Sequence, residues 1–308
     1  MMLGEVVGNI SKIAYRPVKG MGTTEVDSAY IIPGGIVGDK EYVVVQAVPD
    51  PQGVHRWVSQ REFPTLATIQ THVDDDGLYM TLPNGEMFLV PRDMKGKQVT
   101  VQVWNDVIDD NSEQGYYANQ WLSDYLQHGV LLARAGNTFD RPVSSKWLKN
   151  DSKLRGYQDS YPVHWFYQES LDELNRKIRE SGLGGVPWTR FRPNIIVEGA
   201  PEPDYEHLVF EGSFGQVPFL NAKPCDRCPV PLVDQDLGQR INAEPLKTLN
   251  GYKRWLKPDN KVLVIFGENA LPQTEGEIAV GQEVTVVDFR NPPLVYGGAE
   301  IKPQQHSL

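Results

Sequence analysis

Short apolar runs alternate with turn residues along the first hundred residues of the chain. Six runs are rich in β-branched or aromatic side chains and are bounded by Gly, Pro, Asn or Asp, which is typical of strands. The predicted strands are Val26–Ile32, Glu41–Val48, Leu66–His72, Leu78–Leu82, Glu86–Val90 and Gln98–Trp104. Pro83-Asn84-Gly85 predicts a tight hairpin, because Asn-Gly accepts the positive φ of such a turn. Strands this short and evenly spaced indicate an antiparallel barrel or sandwich.

Helical periodicity of apolar residues begins after residue 110. It predicts a first helix from about Tyr116 to Gln127. A second helix is predicted from Leu171 to Glu180, where Ser170 and Glu173 have the spacing of a capping box. A third is predicted from Pro245 to Leu256, with the proline in its first turn.

Further strands are predicted among and after the helices. They are Asn194–Val197, Gln216–Leu220, Val262–Phe266, Ile278–Val280 and Val284–Phe289. The predicted fold class is therefore α+β, predominantly β, a β-barrel-like fold with a few packing helices. The change of pattern predicts two closely packed modules, residues 1–110 and 111–289, and a polar tail over residues 290–308.

Composition narrows the function more than it narrows the fold. The 308 residues are 40% hydrophobic and 23% charged, which is ordinary globular usage. A net charge of −10 disfavours nucleic acid as a partner, because nucleic-acid-binding proteins present a basic surface. We see no signal peptide and no apolar run near the roughly 18 residues of a membrane span. A cytoplasmic protein without a membrane span is predicted.

The only two cysteines of the chain form one Cys-x-x-Cys, Cys225 and Cys228. A structural zinc site needs four ligands, and no second pair exists. Pro229 disfavours the helix that follows a thioredoxin-type pair. From the spacing alone, the pair could also be two reduced cysteines that are simply buried in a loop. Arg227 favours a thiolate, which suits one bond to a soft or high-valent metal already held by another ligand.

Six short motifs follow one another along the chain. They are Pro17-Val18-Lys19, Val37-Gly38-Asp39-Lys40, Phe191-Arg192-Pro193-Asn194, Pro224-Cys225-Asp226-Arg227-Cys228, Glu244-Pro245-Leu246-Lys247-Thr248-Leu249 and Gly276-Glu277-Ile278-Ala279-Val280-Gly281. In this order and at these separations they resemble MOSC-domain proteins. The resemblance is to the amidoxime-reducing component type, with an N-terminal MOSC β-barrel module before the MOSC domain. It covers residues 5 to 288.

The resemblance implies a molybdenum cofactor, Mo-molybdopterin, and no intrinsic iron–sulfur cluster or haem. It makes Cys225 the metal ligand and the catalytic residue. The cofactor-binding residues that it implies are Lys19, Arg61, Tyr167, Gln168, Arg192 and Asn194. Lys and Arg suit the anionic phosphate of a pterin, because they bind phosphate through charge-assisted hydrogen bonds. Two residues depart from the family pattern: Gly20 follows Lys19 in place of serine, and Tyr167 is bulkier than the usual small hydroxyl residue.

The activity implied by this resemblance is reduction of small N-hydroxylated or N-oxygenated compounds. Two electrons and two protons convert N–OH to N–H plus water, and a separate ferredoxin- or cytochrome-type protein with its reductase supplies the electrons. One alternative is a carrier of the cofactor or of sulfur, with Cys225 as clamp or persulfide. Another is a cofactor-free binding module that uses the barrel surface.

Overall fold

Seven strands drawn from both ends of the chain close into a barrel. The computed structural model describes residues 4–139, 141–257 and 259–290, together with the backbone of residues 295–296, 299–300 and 302–303. In order around the barrel the strands are Val163–Tyr167, Ile195–Glu198, Glu5–Tyr15, Glu283–Phe289, Val209–Phe214, Val217–Asp226 and Val262–Pro272. The last pairs with the first, and only the first two run parallel. Closure removes exposed edges.

An aromatic cluster fills the barrel interior. Trp165 is fully buried, and its ring lies 5.5 Å from that of Phe214 and 5.6 Å from that of Phe219. The two phenylalanines stack at 4.1 Å. The indole Nε1 of Trp165 donates to Oδ1 of Asn221 at 2.8 Å, so the one polar atom of this large side chain is satisfied.

Two helices cover one outer face of the barrel. Helix α2 spans Gln168–Glu180 and helix α3 spans Leu246–Tyr252. Their apolar residues pack with Phe166, Phe191 and Phe266 in a second hydrophobic cluster. Because side chains alternate along a strand, Val163–Tyr167 contributes Trp165 to the interior and Phe166 to this outer layer.

The other module is built from small sheets and helix α1, Tyr116–Leu126. Its sheets are Asn111–Glu113, Val130–Ala135, Tyr42–Gln46 and Val18–Lys19; Met87–Pro91, Gly77–Thr81 and Gln70–Val73; and Asp106–Ile108, Thr100–Val103 and Val54–Arg56. Buried residues of α1 pack with those of the strands in one cluster that is separate from the barrel core.

Short elements connect and extend these parts. The remaining strands are Thr24–Val26, Ser28–Ile32, Gly35–Ile36, Arg141–Pro142, Lys153–Leu154, Val233–Asp234, Gln239–Arg240, Arg254–Leu256, Gly276–Ala279, Val295–Tyr296, Ala299–Glu300 and Lys302–Pro303. The 3₁₀ helices are Pro64–Thr68, Trp188–Arg190, Tyr205–His207 and Val230–Leu232. No helix among the described residues is long and apolar enough to cross a membrane.

The predicted fold class is confirmed, and most predicted elements exist with shifted ends. The hairpin at Pro83-Asn84-Gly85 is confirmed, since Gly77–Thr81 and Met87–Pro91 pair across it. The predicted strand Leu66–His72 begins instead as a 3₁₀ turn, and only Gln70–Val73 is extended.

The predicted start of helix α2 and the predicted end of helix α3 are wrong, whereas α2 ends at Glu180 as predicted. Helix α2 begins at Gln168, so the predicted capping box does not form, and Ser170 instead donates to Glu206. Helix α3 ends at Tyr252, because Arg254–Leu256 pairs as a strand with Val262–Pro272. Both errors arise where a tertiary partner outweighs a local signal.

The module boundary at residue 110 stays a prediction. Helix α1 and Val130–Ala135 pack with strands of the first hundred residues, whereas Glu5–Tyr15 lies in the barrel. Most of the predicted tail lies outside the described residues. Within it, Lys302–Pro303 pairs with Arg254–Leu256.

Candidate active site

A cavity of about 540 Å³ lies where the first module meets the barrel. Of the predicted site residues, five line it. They are Lys19, Arg61, Arg192, Asn194 and Cys225. These residues are separated by more than 200 positions along the chain and come from both parts of the fold, so tertiary structure brings them together.

The cavity is cationic in an acidic protein. Seven basic side chains and three carboxylates line it among the residues that the structure describes. These are Lys19, Lys40, Arg61, Arg141, Arg192, Lys223 and Arg227, and Asp106, Asp159 and Asp226. The chain as a whole carries −10. Such a local excess of positive charge favours an anionic ligand.

Arg227 organises the cysteine end of the cavity. Its Nη1 donates to Sγ of Cys225 at 2.9 Å and to Nε2 of His164 at 3.1 Å, and its Nη2 donates to the carbonyl of Phe191 at 2.9 Å. Because Nε2 of His164 accepts, Nδ1 carries the proton, and it donates to the carbonyl of Glu268 at 3.0 Å. Burial and the Arg227 charge hold the pKa of His164 well below its usual value, so the ring is neutral.

Two opposing effects decide the state of the Cys225 thiol. Arg227 makes the expected contact with Cys225, but burial raises the pKa of Cys225 more than Arg227 and Lys223 lower it. Arg227 lowers the pKa of Cys225 as expected, but without a metal the larger effect of burial favours the thiol. Metal coordination reverses this balance, because a coordinating thiol is deprotonated. Cys228 also lines the cavity.

Lys19 and two tryptophans also line the cavity. The ammonium of Lys19 donates to Oδ1 of Asp159 at 2.5 Å and to the carbonyl of Tyr157 at 2.8 Å. It lies 4.7 Å from the centre of the Trp57 ring. The indole of Trp104 donates to the same Asp159 oxygen at 3.0 Å. Burial lowers the pKa of Lys19, and Asp159 opposes that effect.

Three arginines of the cavity have a buried nitrogen atom without a partner: Nε of Arg227 and one nitrogen each of Arg61 and Arg192. The guanidinium of Arg61 lies 4.7 Å from the centre of the Trp104 ring, and its Nε is buried and unpaired. Nη1 of Arg192 donates to Gln235 at 2.9 Å, whereas its Nη2 is buried and unpaired. Burial lowers the pKa of Arg192 to about 10. A buried donor without an acceptor costs about 1–3 kcal/mol, so Arg61 and Arg192 both favour an anion in the cavity.

Asn194 acts mainly as a connector. Its Nδ2 donates to the carbonyl of Ala14 at 3.2 Å, and its Oδ1 accepts from the backbone N–H of His164 at 3.1 Å. It therefore ties the barrel strand Glu5–Tyr15 to the strand that carries His164.

The structure does not place Tyr167 or Gln168 on the cavity. Tyr167 is buried in the barrel core, with its ring 5.3 Å from that of Trp165. Gln168 donates to Asp172 within helix α2. The residue of this strand that reaches the cavity is His164, three positions before Tyr167 and on the other face of the strand.

Sequence reasoning missed several other residues of the cavity, among them Asp159, Trp57 and Trp104. Their signal is weak, because an Asp in a loop and a Trp just after a strand are common in any globular protein. The alternation of Val163–Tyr167 is the one signal that could have found His164. Using this alternation requires the knowledge that Trp165 faces the barrel interior, which the sequence does not supply.

The comparisons agree with this architecture. The MOSC N-terminal beta barrel domain matches residues 7–129, and the MOSC domain matches residues 152–285. The chain belongs to the MOSC-domain family. Its MOSC barrel therefore carries Cys225, and the MOSC N-terminal module carries Lys19 and Arg61.

Several mitochondrial proteins are similar to this MOSC protein over nearly its whole length. Mitochondrial amidoxime-reducing component 1 of Mus musculus is 26% identical over 293 residues, which cover 90% of this chain and 82% of that protein. Mitochondrial amidoxime reducing component 2 of Rattus norvegicus is 25% identical, and the match covers 90% of this chain and 83% of that protein. Mitochondrial amidoxime-reducing component 1 of Homo sapiens is 24% identical, and the match covers 90% of this chain and 82% of that protein.

Proposed function

We propose that this MOSC protein is a reductase of N-hydroxylated compounds that depends on a molybdenum cofactor. The observation that carries the proposal is the cationic cavity, which is lined by Cys225 and by Arg61 and Arg192 with their unpaired buried guanidinium nitrogens. The similarity to proteins named amidoxime-reducing components supports the class of substrate.

The residues present fit a phosphorylated pterin that holds molybdenum. Lys19, Arg61 and Arg192 would bind its phosphate, since guanidinium and ammonium groups form charge-assisted hydrogen bonds to phosphate oxygens. Cys225 would provide a sulfur ligand, and thiolates suit soft metals. When bound, the cofactor supplies the two-electron redox chemistry that converts N–OH to N–H and water.

The chain itself orients these ligands. Arg227 holds Sγ of Cys225, and it is held in turn by the Phe191 carbonyl and by neutral His164. His164 is fixed by the Glu268 carbonyl. Groups that surround a ligand tune the affinity and the properties of a metal site, so we assign Arg227 and His164 as positioning residues.

Electrons require a partner in this proposal. We propose a separate ferredoxin- or cytochrome-type protein as the electron donor. A cytoplasmic location stays a prediction.

A matched pair of cysteine variants tests the proposal. The full chain is produced in a host that makes the cofactor, and molybdenum and pterin are measured together with oxidation of reduced viologen dye by benzamidoxime. We expect Cys225→Ser to lower the turnover at least a hundredfold, because it removes the metal ligand, and to leave the melting temperature nearly unchanged.

Cys228→Ser is the control and should keep most of the activity. Full turnover by Cys225→Ser, or a loaded wild-type protein that never oxidises the dye with an N–OH compound, would contradict the proposal. Release of cofactor to an apo-enzyme without such turnover would assign the carrier role.

A further inference from the structure

A group of potential metal ligands lies outside the cavity, on the turn that precedes the barrel strand Val209–Phe214. Asp204, Glu206 and His207 each offer one ligand atom, and these atoms all lie within 4.8 Å of one another. The 3₁₀ helix Tyr205–His207 carries two of them. None of the three lines the proposed cofactor cavity.

Two of these side chains have buried ligand atoms without a partner. Glu206 has no exposed surface; its Oε2 accepts from Ser170 at 2.8 Å, but its Oε1 is unpaired. His207 is 9% exposed, and its Nε2 is also buried and unpaired. Burying polar atoms without partners is costly, so two in one turn require an explanation.

The second nitrogen of His207 is arranged as in metal-binding histidines. Nδ1 donates to Oε1 of Glu268 at 2.8 Å, which leaves the lone pair of Nε2 free in the neutral ring. A histidine that binds a metal commonly donates its other N–H to a carboxylate, which fixes the tautomer and the ring orientation. Glu268 is itself fully buried.

The charges around the turn leave room for a cation. Three carboxylates, Asp204, Glu206 and Glu268, face two cations, Lys253 and Arg290. Lys253 pairs with Oδ2 of Asp204, which leaves the other oxygen of that carboxylate for a ligand. Among the described residues, no lysine or arginine forms an ion pair with Glu206.

We propose that Asp204, Glu206 and His207 bind a divalent transition-metal ion, zinc by its chemistry, with Glu268 orienting His207. Zinc takes nitrogen and carboxylate ligands at about 2.0–2.2 Å in tetrahedral geometry, so its donor atoms lie about 3.4 Å apart. The three candidate ligand atoms lie within 4.8 Å of one another, so zinc binding requires them to move closer together. The hydrogen bond from His207 to Glu268 joins this turn to Val262–Pro272, the strand whose Glu268 carbonyl also holds His164.

Zinc titration of the full chain tests this site. The two cysteines are first replaced in a Cys225→Ser/Cys228→Ser background, because thiolates bind zinc. Isothermal titration with zinc chloride should give one saturable site per chain and a rise in melting temperature. Glu206→Gln keeps the contact with Ser170 and should weaken zinc binding at least tenfold. Glu202→Gln, an exposed residue of the same segment, is the matched control and should bind normally.

Each outcome decides the proposal. No saturable zinc site in the cysteine-free chain, or equal affinity in Glu206→Gln and Glu202→Gln, would overturn it. If Glu206→Gln does not fold, Asp204→Asn at the partly exposed ligand gives the same test, with the same tenfold loss expected. The zinc readout needs no molybdenum and no N–OH substrate, so it is independent of the proposed reductase activity.

Discussion

Lys19 keeps its charge inside the protein because three groups compensate its burial. The ammonium is surrounded by Asp159, the Tyr157 carbonyl and the face of Trp57, and the side chain of Lys19 is only 4% exposed. Asp159 is therefore the partner that an anionic ligand must share or replace. A lysine in this position recognises charge more than shape, because its ammonium is a compact point charge.

Replacing Lys19 by methionine should weaken cofactor retention and leave the fold intact. Methionine keeps the length of the side chain but removes one charge-assisted hydrogen bond, worth about 1.5–3 kcal/mol, which is roughly tenfold or more in affinity. Molybdenum and pterin content after gel filtration measures the effect. Lys12→Met removes a surface pair with Glu25 and is the control. Equal retention by both variants would argue against a phosphate contact at Lys19.

The residues that carry charge were the part of the site most accessible to sequence reasoning. Lys19, Arg192 and Cys225 belong to short motifs whose chemistry suits an anion or a metal, and these three residues and Arg61 all reach the cavity. Tyr167 does not, because strand alternation places it in the barrel core. Which face of a strand points inward depends on closure of the barrel, and that information is not local.

At the scale of elements, the strand Val262–Pro272 positions the cysteine end of the site. The apolar run predicted it only as far as Phe266, since a glycine usually weakens a strand. The strand continues through Gly267 because it pairs on both sides, with Val163–Tyr167 and Val217–Asp226. Gly267 has a φ of 71°. A Cβ there would lie 2.6 Å from Cε1 of His164.

Gly267→Ala should therefore lower stability and disturb the site together. A strained backbone position of this kind costs about 1–3 kcal/mol, and the clash pushes His164 away from Arg227. Chemical denaturation gives the loss of unfolding free energy, and the reactivity of Cys225 towards a thiol reagent gives the local change.

Gly251→Ala in helix α3 is the matched control. A Cβ there meets no atom within 4 Å, so we expect no loss and a gain of up to about 1 kcal/mol from helix propensity. If Gly267→Ala is as stable as Gly251→Ala, the close approach to His164 does not constrain this strand.

At the scale of the whole molecule, the first module is inserted into the barrel. Glu5–Tyr15 is a barrel strand, the chain then builds the MOSC N-terminal module, and it returns to the barrel at Val163–Tyr167. Arg16 joins the two parts: its backbone N–H donates to Asp39 at 2.9 Å, and its Nη1 donates to the carbonyl of Pro193 at 2.7 Å. The barrel cannot close without Glu5–Tyr15, which lies between Ile195–Glu198 and Glu283–Phe289.

This connection predicts one cooperative unfolding transition for the whole chain. Differential scanning calorimetry should give a single peak with a ratio of calorimetric to van't Hoff enthalpy of about 1. Two well-separated peaks would show that the modules unfold independently despite the shared strand and the Arg16 contacts.

The sequence by itself determined the fold class, most strands and the approximate positions of the three helices. These follow from periodicity and turn chemistry, which are local properties, whereas Lys19, Arg61, Arg192 and Cys225 were selected for the site only through a family resemblance. Only the tertiary structure decided that Glu5–Tyr15 belongs to the barrel, that His164 rather than Tyr167 reaches the cavity, and that burial dominates the thiol of Cys225. Strand pairing, side-chain direction and desolvation depend on contacts between distant segments, so no local pattern contains them.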